Sequence, residues 1–223
     1  MTEQLEYIQR QNGNQPEYTV IWLHGLGADG YDFEPIVPAL KLPADPVVRF
    51  VFPHAPMRPV TINGGMVMRA WYDISAMEMV RNEDAAGVEQ SAAQVRDLIA
   101  EQNRDGIPTE RIILAGFSQG GAIALHTGLR YAEALAGIMA LSTYVPLKQR
   151  LAKEAHASNL GTSVFMAHGT SDPVIPLTLG DASRKLLQEL GYPVEWRTYP
   201  MQHAVSPEEI DDIGRWLRAR MEE

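Results

Sequence analysis

The stretch that decides the fold runs from Arg111 to Gly121 and reads Arg-Ile-Ile-Leu-Ala-Gly-Phe-Ser-Gln-Gly-Gly. Its first half, residues 111–116, is a short apolar run of the kind found in strands buried on both faces. A helix is predicted over residues 119–129, directly after Ser118. The Gly-x-Ser-x-Gly pattern at a strand-to-helix turn is typical of a nucleophile elbow.

The elbow pattern has a steric explanation. A serine on a sharp turn exposes its Oγ, and Gly116 and Gly120 allow the strand and the helix to approach closely. The first N–H groups of the following helix, with their partial positive charge, then point at any oxyanion that develops beside Ser118. The alternative is a glycine-rich turn in which the serine only caps the helix.

On either side of this stretch, strand and helix signals alternate, which predicts a mostly parallel sheet with helices on both faces. Asn63-Gly64-Gly65 lies between two apolar runs, Val60-Thr61-Ile62 and Met66-Val67-Met68, and predicts an antiparallel hairpin that leaves this sheet. Ser206-Pro207-Glu208-Glu209 predicts a capping box at the start of the last helix. Strands are predicted over 18–23, 47–52, 111–116, 137–141, 164–168 and 194–198, with helices at 33–40, around 88–99, and over 119–129 and 177–190.

Composition limits the class of protein. The chain has 223 residues, of which 45% are apolar and 21% are charged, as expected for one globular α/β domain over 1–223. A net charge of −9 argues against nucleic acid and anionic membranes as general partners. The chain has no cysteine, which excludes disulfides, thiolate nucleophiles and Cys-ligated metals. The polar first residues and the lack of a long apolar stretch predict a cytoplasmic protein without integral membrane association.

An acid and a base for the serine are sought where other strands end, because ligands bind at the carboxyl ends of parallel strands. Asp172 follows the strand at 164–168, and His203 follows the strand at 194–198. The chain order Ser118, Asp172, His203 is that of α/β-hydrolase triads. Taken singly, Asp172 is a turn-forming aspartate before a proline and His203 a loop histidine, so the joint placement carries the prediction. His24 and His168, at the ends of strands, are predicted to hydrogen-bond their own loops.

The first loop contains a second glycine motif. Residues 25–30 fit Gly-x-Gly-x-x-Gly, which could indicate a dinucleotide fold. However, the next helix begins beyond the third glycine, and the second strand ends in Pro53-His54, where a ribose-binding carboxylate should stand. The preferred interpretation is a loop that supplies an oxyanion donor, the N–H of Leu26, alongside the N–H of Gln119. The alternative is an ordinary glycine-rich turn.

Taken together, these motifs resemble the phospholipase/carboxylesterase family, which includes the acyl-protein thioesterases. The resemblance covers nearly the whole chain and is carried by Leu23-His24-Gly25-Leu26-Gly27-Ala28-Asp29-Gly30, Phe52-Pro53-His54-Ala55-Pro56, Asn63-Gly64-Gly65, Arg69-Ala70-Trp71-Tyr72-Asp73, Gly116-Phe117-Ser118-Gln119-Gly120-Gly121, His168-Gly169 with Asp172, and His203 with Ser206-Pro207-Glu208-Glu209.

The resemblance implies an α/β-hydrolase fold without a large cap domain, and hydrolysis of carboxylic esters or thioesters with no metal and no cofactor. It supports Ser118, Asp172 and His203 as the triad and Leu26 and Gln119 as the oxyanion donors. It also implies that the first loop, the hairpin and residues 141–146 form the walls of an acyl pocket.

The acyl pocket is predicted from Met66 and Met68, which lie two residues apart and so on one face of the hairpin. Flexible thioethers suit a broad acyl slot, although each of these side chains could equally belong to the core. Gln202 stands where many relatives carry Gly, and Tyr144 where mammalian thioesterases carry Trp, which leaves the chain-length preference open. The full predicted lining is Met66, Met68, Trp71, Tyr144, Val145 and Met201.

Several functions are compatible with these residues. The preferred one is a broad carboxylesterase acting on a small or lipid-like acyl ester, and the alternatives are a lysophospholipase and an acyl-protein thioesterase. A non-catalytic α/β binding module is the alternative from another class. An exposed apolar hairpin and pocket rim would be compatible with a homodimer.

Overall fold

The computed structural model describes residues 4–75 and 83–222 of the chain. Its central sheet has seven strands in the order β1-β3-β2-β6-β7-β8-β9, and a separate antiparallel pair is formed by β4 and β5. All neighbours in the central sheet are parallel except β1, which pairs antiparallel with β3 at one edge. The strands are β1 (Tyr7–Gln11), β2 (Tyr18–Leu23), β3 (Val48–Pro53), β4 (Met57–Val60), β5 (Met66–Arg69), β6 (Ile112–Phe117), β7 (Gly137–Leu141), β8 (Val164–Gly169) and β9 (Val194–Tyr199).

The helices cover both faces of the sheet, as the alternating pattern predicts. Along β2, Ile21 and Leu23 pack into one apolar cluster with residues of α1 and α2, whereas Val20 and Trp22 pack into another with residues of α5. This division follows from the alternation of side chains along a strand. The helices are α1 (Ala85–Arg104), α2 (Gln119–Gly128), α3 (Lys148–Glu154), α4 (Leu177–Glu189) and α5 (Pro207–Met221), and short 3₁₀ helices lie at Glu34–Leu40, Thr61–Asn63, Thr109–Arg111 and Ala157–Asn159.

The hairpin is confirmed, but its first strand ends earlier than predicted. β4 ends at Val60, and Thr61–Asn63 forms a 3₁₀ turn where the alternation of the sequence predicts strand. The carboxylate of Asp73 explains the difference, because it accepts hydrogen bonds from both the N–H and the hydroxyl of Thr61. Gly64 and Gly65 both have positive φ, 67° and 78°, which completes the reversal.

Two elements have no counterpart among the predicted ones. β1 is an edge strand of mostly polar residues, half-buried or exposed, so it lacks the apolar run that marks an interior strand. α3 has one fully buried apolar residue, Leu151, and therefore shows no helical periodicity. Both lie at the periphery, where tertiary contacts rather than hydrophobic pattern decide the conformation.

Ser206 and Glu209 interact at the start of α5. The Oγ of Ser206 accepts a hydrogen bond from the N–H of Glu209, as predicted. The Glu209 carboxylate is buried, and it lies close enough to the backbone N–H of Ser206 for that group to lower its pKa against the effect of burial. The side chain therefore lies near the start of the helix, as a capping box predicts.

The parallel strands bring four loops to one edge of the sheet. These loops follow β2, β6, β8 and β9, and they carry the residues predicted to act together. Within the described residues, no helix is both long and apolar enough to cross a membrane.

Candidate active site

Ser118 sits on a strained turn between β6 and α2. Its backbone torsions are φ 54° and ψ −120°, a combination that is rare for a residue with a side chain. A Cβ on Gly116 would lie 2.4 Å from the backbone of Gly120, and a Cβ on Gly120 would lie 2.3 Å from the carbonyl oxygen of Leu23. The two glycines therefore allow the close approach of strand and helix that the sequence pattern predicts.

The structure brings Ser118, His203 and Asp172 into one hydrogen-bonded chain. The Oγ of Ser118 lies 2.9 Å from Nε2 of His203, and Nδ1 of His203 lies 2.7 Å from Oδ2 of Asp172. Residues 85 and 31 positions apart in sequence thus meet at the carboxyl edge of the sheet. The ring of Phe117 packs against the imidazole of His203, with 4.8 Å between the two ring centroids.

The loops that carry Asp172 and His203 are joined by their backbones. The N–H of Ser171 donates to the carbonyl of Met201, and the N–H of Thr170 donates to the carbonyl of Tyr199. A Cβ on Gly169 would lie 2.3 Å from the carbonyl oxygen of Gln202, so only glycine permits this approach. The spacing between the acid and the histidine is therefore set by main-chain contacts.

The Asp172 carboxylate is fixed at both oxygens. Oδ1 accepts hydrogen bonds of 2.8 and 2.9 Å from the N–H groups of Val174 and Ile175, which leaves Oδ2 for His203. His168 lies beneath this turn, with its Nε2 2.8 Å from the carbonyl oxygen of Ile175 and 3.6 Å from Oδ2. Burial lowers the pKa of His168, so it donates to the carbonyl as a neutral ring.

The two predicted oxyanion donors belong to the elbow and to the loop after β2. Gln119 is the first residue of α2, and the first N–H groups of a helix have no partner within it. Leu26 is half-buried in the loop after β2, and its neighbour Gly25 would place a Cβ 3.5 Å from the Cβ of Ser118. Among the described residues, the N–H of Leu26 makes no hydrogen bond. Within the described part of the chain, the N–H of Leu26 is therefore free to bind a ligand, and the N–H of Gln119 is not used within α2.

The predicted acyl-pocket residues fall into two groups. Trp71, Tyr144 and Val145 are buried, and Trp71 is completely enclosed. The indole N–H of Trp71 donates to the carbonyl of His24, and the hydroxyl of Tyr144 lies 3.0 Å from that of Tyr72. These contacts are with the protein interior, as the alternative interpretation of such side chains anticipates.

The methionines are more accessible. Met66 is 64% exposed on the hairpin, whereas Met68 and Met201 are half-buried. Met66 and Met68 share one face of the hairpin, as predicted from their spacing, since they pair across it with Val60 and Arg58. The sulfur of Met68 lies 3.7 Å from the position of a Cβ on Gly27, which links the hairpin to the first loop.

The histidines read from the sequence as loop residues have that role. His24 and His168 each hydrogen-bond a carbonyl of the loop that follows their strand. A further contact was not predicted: the hydroxyl of Thr143 donates to the carbonyl of Ser118 at 2.6 Å. Its only sequence signal is a position two residues after the end of β7, the neighbour of the elbow strand. Within residues 4–75 and 83–222, no three His, Asp or Glu side chains cluster in a way that could hold a metal ion.

The fold and the site together define the class. A mostly parallel sheet with a Ser–His–Asp chain at the carboxyl ends of its strands is the arrangement of α/β-hydrolases. The sequence profile of the phospholipase/carboxylesterase family matches residues 6–221. The chain belongs to that family and is a carboxylic ester hydrolase.

Individual relatives agree with the family profile. The chain is 43% identical over 212 residues to acyl-protein thioesterase 1 of Neurospora crassa, covering 91% of this chain and 86% of that protein. Crystal structures of SOBER1 from Arabidopsis thaliana and of acyl-protein thioesterase 2 from Zea mays superpose with TM-scores of 0.86 each. Their sequence identities are 31% and 28%, and the alignments cover 92% and 97% of this chain and 99% of each of the two structures.

Proposed function

We propose that the protein cleaves carboxylic esters through a covalent acyl-enzyme on Ser118. The observation that carries the proposal is the chain of two hydrogen bonds from Ser118 through His203 to Asp172, at 2.9 and 2.7 Å. A serine hydroxyl is a weak nucleophile, and a neutral imidazole within hydrogen-bond reach is the base that it needs. The family supports ester hydrolysis as the reaction class.

The proposed steps follow from this geometry. His203 takes the Ser118 proton at Nε2 as Oγ attacks the acyl carbonyl, while Asp172 holds the proton of Nδ1 in place. The negative charge on the carbonyl oxygen is stabilised by the N–H groups of Leu26 and Gln119. His203 then protonates the leaving alcohol or thiol. Water repeats the sequence on the acyl-enzyme and releases the acid.

Replacement of the nucleophile tests the proposal. The Ser118→Ala variant should lose hydrolysis of a p-nitrophenyl ester and should no longer react with a fluorophosphonate probe. The Ser171→Ala variant, altered in the neighbouring Asp172 loop, serves as the control and should keep both activities. Unchanged turnover in Ser118→Ala would reject Ser118 as the nucleophile. A wild-type protein that neither turns over nor labels would support the binding-module alternative.

We further propose that the natural substrates are S-acyl groups on proteins. Lysophospholipids and simple esters are the alternative candidate substrates. The support is the similarity to proteins named acyl-protein thioesterases in Neurospora crassa and Zea mays. A panel of acyl chain lengths, each prepared as an oxygen ester and as a thioester, separates these substrates. A higher kcat/KM for long-chain S-acyl peptides than for matched oxygen esters and lysophospholipid supports the thioesterase function, and the reverse order contradicts it.

For the acyl chain we propose a slot bordered by Met66, Met68 and Met201. Their half-buried or exposed thioethers are adaptable apolar surfaces close to the loops of the site. The buried side chains of Trp71, Tyr144 and Val145 are expected to support these methionines from the protein interior. A substitution such as Met68→Ser should reduce the gain in kcat/KM that a longer chain provides, while leaving a short ester unaffected. An equal effect on short and long esters would exclude Met68 from the slot.

We also propose one domain over 1–223, a cytoplasmic location and a homodimer.

The dimer proposal rests on the hairpin, where Met57, Met66 and Val67 are each more than half exposed. Sedimentation velocity should give twice the chain mass of 24.7 kDa for the wild type. The Val67→Lys variant should sediment as a monomer; a monomeric wild type would contradict the proposal.

A further inference from the structure

The side chain of His24 is held as one defined tautomer. The N–H of Ala55 donates to Nε2 at 3.0 Å, so Nε2 carries no hydrogen. The proton of the neutral ring is therefore on Nδ1, which lies 2.7 Å from the carbonyl oxygen of Gly25 and donates to it. Burial lowers the pKa of His24 to about 4, which keeps the ring neutral over the range in which the enzyme is expected to work.

The hydrogen bond to Gly25 has a consequence for Leu26. The carbonyl of Gly25 and the N–H of Leu26 belong to the same peptide group, and in a trans peptide they point in opposite directions. Fixing the carbonyl on the His24 side thus fixes the direction of the N–H. Gly25 packs against Ser118, so this peptide lies next to the nucleophile.

The same histidine is connected to the second donor. The indole N–H of Trp71 donates to the carbonyl of His24 at 2.9 Å, and the backbone N–H of Trp71 donates to Oε1 of Gln119 at 2.8 Å. The amide nitrogen of Gln119 donates in turn to the carbonyl of Tyr72 at 2.7 Å. His24, Trp71 and Gln119 are all buried. A continuous chain of hydrogen bonds therefore joins the Gly25–Leu26 peptide to Gln119.

We propose that the buried chain of His24, Trp71 and the Gln119 side chain positions the two oxyanion donors relative to each other. In this role His24 and Trp71 are positioning residues that do not touch the substrate. The inference rests on the proposed function, because it assumes that the N–H groups of Leu26 and Gln119 bind the oxyanion. Such donors act when charge develops, so their alignment should affect the transition state more than substrate binding.

The first test removes the indole N–H with Trp71→Phe. Trp216→Phe is the matched control, since Trp216 on α5 is also buried and its indole N–H has no hydrogen-bond partner among the residues that the structure describes. For Trp71→Phe we expect kcat on a p-nitrophenyl ester to fall ~10- to 100-fold, part of the effect of losing one oxyanion donor, with KM changed less than about threefold. The inhibition constant of a trifluoromethyl ketone, which forms an oxyanion adduct with Ser118, should rise by the same factor as kcat/KM falls.

The second test acts on His24 and does not depend on the folding of the Trp71 variant. His24→Leu removes the donor to Gly25 and should lower kcat as Trp71→Phe does. His24→Asn keeps a donor near the position of Nδ1 and should restore most of the lost kcat. The control for burial alone is His126→Leu, at a buried histidine of α2 that lies outside this hydrogen-bonded chain and has its Nε2 3.6 Å from a carboxylate oxygen of Glu89.

The outcomes separate this inference from the proposed function. The inference is overturned if Trp71→Phe and Trp216→Phe lower kcat equally, if KM rises while kcat is unchanged, or if His24→Asn is no better than His24→Leu. Each of these results leaves the loss of activity in Ser118→Ala intact. Retained activity in Ser118→Ala would instead reject the proposed function itself.

Discussion

Ser118 has a strained backbone conformation that is held in place by hydrogen bonds to its neighbours. Its positive φ costs on the order of 1–3 kcal/mol, and such strain persists only where surrounding contacts determine the conformation. Those contacts include the hydrogen bond from the Ser118 N–H to the carbonyl of Leu141 and the one from Thr143 to the carbonyl of Ser118. The strain places Oγ beside His203, away from the helix that the residue precedes.

At the residue scale, Asp172→Asn should separate catalysis from stability. The amide can no longer stabilise the His203 imidazolium or select its Nδ1–H tautomer, so we expect kcat to fall by ~10⁴. The oxygen that accepts from Val174 and Ile175 is retained, so the midpoint of thermal unfolding should change little.

The control for this substitution is Asp181→Asn, which alters an aspartate that pairs with Arg184 and Lys185 on α4 and should leave kcat unchanged. A loss in Asp172→Asn of less than tenfold, measured with the same ester, would exclude Asp172 as the orienting acid.

At the scale of elements, the junction of β6 and α2 depends on glycine. Gly120→Ala would place a methyl group 2.3 Å from a backbone oxygen of β2, which cannot move without distorting the sheet. We expect the free energy of unfolding to fall by ~1–3 kcal/mol or more, together with a loss of kcat. Chemical denaturation of the purified variant measures the first effect.

Gly161→Ala is the matched control, because a Cβ there meets no atom of the described residues within 4 Å and the φ of Gly161 is not in the left-handed region. This variant should match the wild type or be slightly more stable, since alanine has less conformational freedom when unfolded. Equal stability of Gly120→Ala and Gly161→Ala would show that the strand and helix can separate without cost.

At the scale of the whole molecule, two buried groups on opposite faces of the sheet make stability depend on pH with opposite signs. Burial raises the pKa of Glu209 to about 8 and lowers the pKa of His126 to about 4. Because folding raises the pKa of Glu209, the contribution of this residue to the free energy of unfolding is complete below about pH 4.5 and is lost as the pH rises through 8. Because folding lowers the pKa of His126, the contribution of this residue to the free energy of unfolding is complete above about pH 6.5 and is lost as the pH falls through 4.

Glu209→Gln should therefore be more stable than the wild type at pH 9, by on the order of 3 kcal/mol relative to their difference at pH 5. For the same reason, the free energy of unfolding of His126→Leu should fall less than that of the wild type as the pH is lowered through 4. Denaturant unfolding at a series of pH values measures both differences. A wild-type and a Glu209→Gln curve that remain parallel would mean that the carboxyl is solvated.

Sequence by itself was sufficient for the parts of the molecule where local pattern and local structure have the same cause. The apolar runs of β2, β6, β7 and β8 are strands because they are buried on both faces, and Gly116 and Gly120 mark the elbow because no side chain fits there. Because active residues follow the carboxyl ends of parallel strands, the sequence also predicts that Ser118, Asp172 and His203 lie at one edge of the sheet.

Only the tertiary structure decided which side chains are enclosed. Trp71 and Met66 both belong to the predicted lining, yet Trp71 is completely buried and hydrogen-bonded to His24, whereas Met66 faces solvent. The carboxylate of Glu209, predicted from a local capping pattern, is also fully buried, which the pattern does not indicate. Burial depends on contacts between residues distant in the chain, such as 24, 71 and 119, and a local pattern contains no information about which distant segment will cover it.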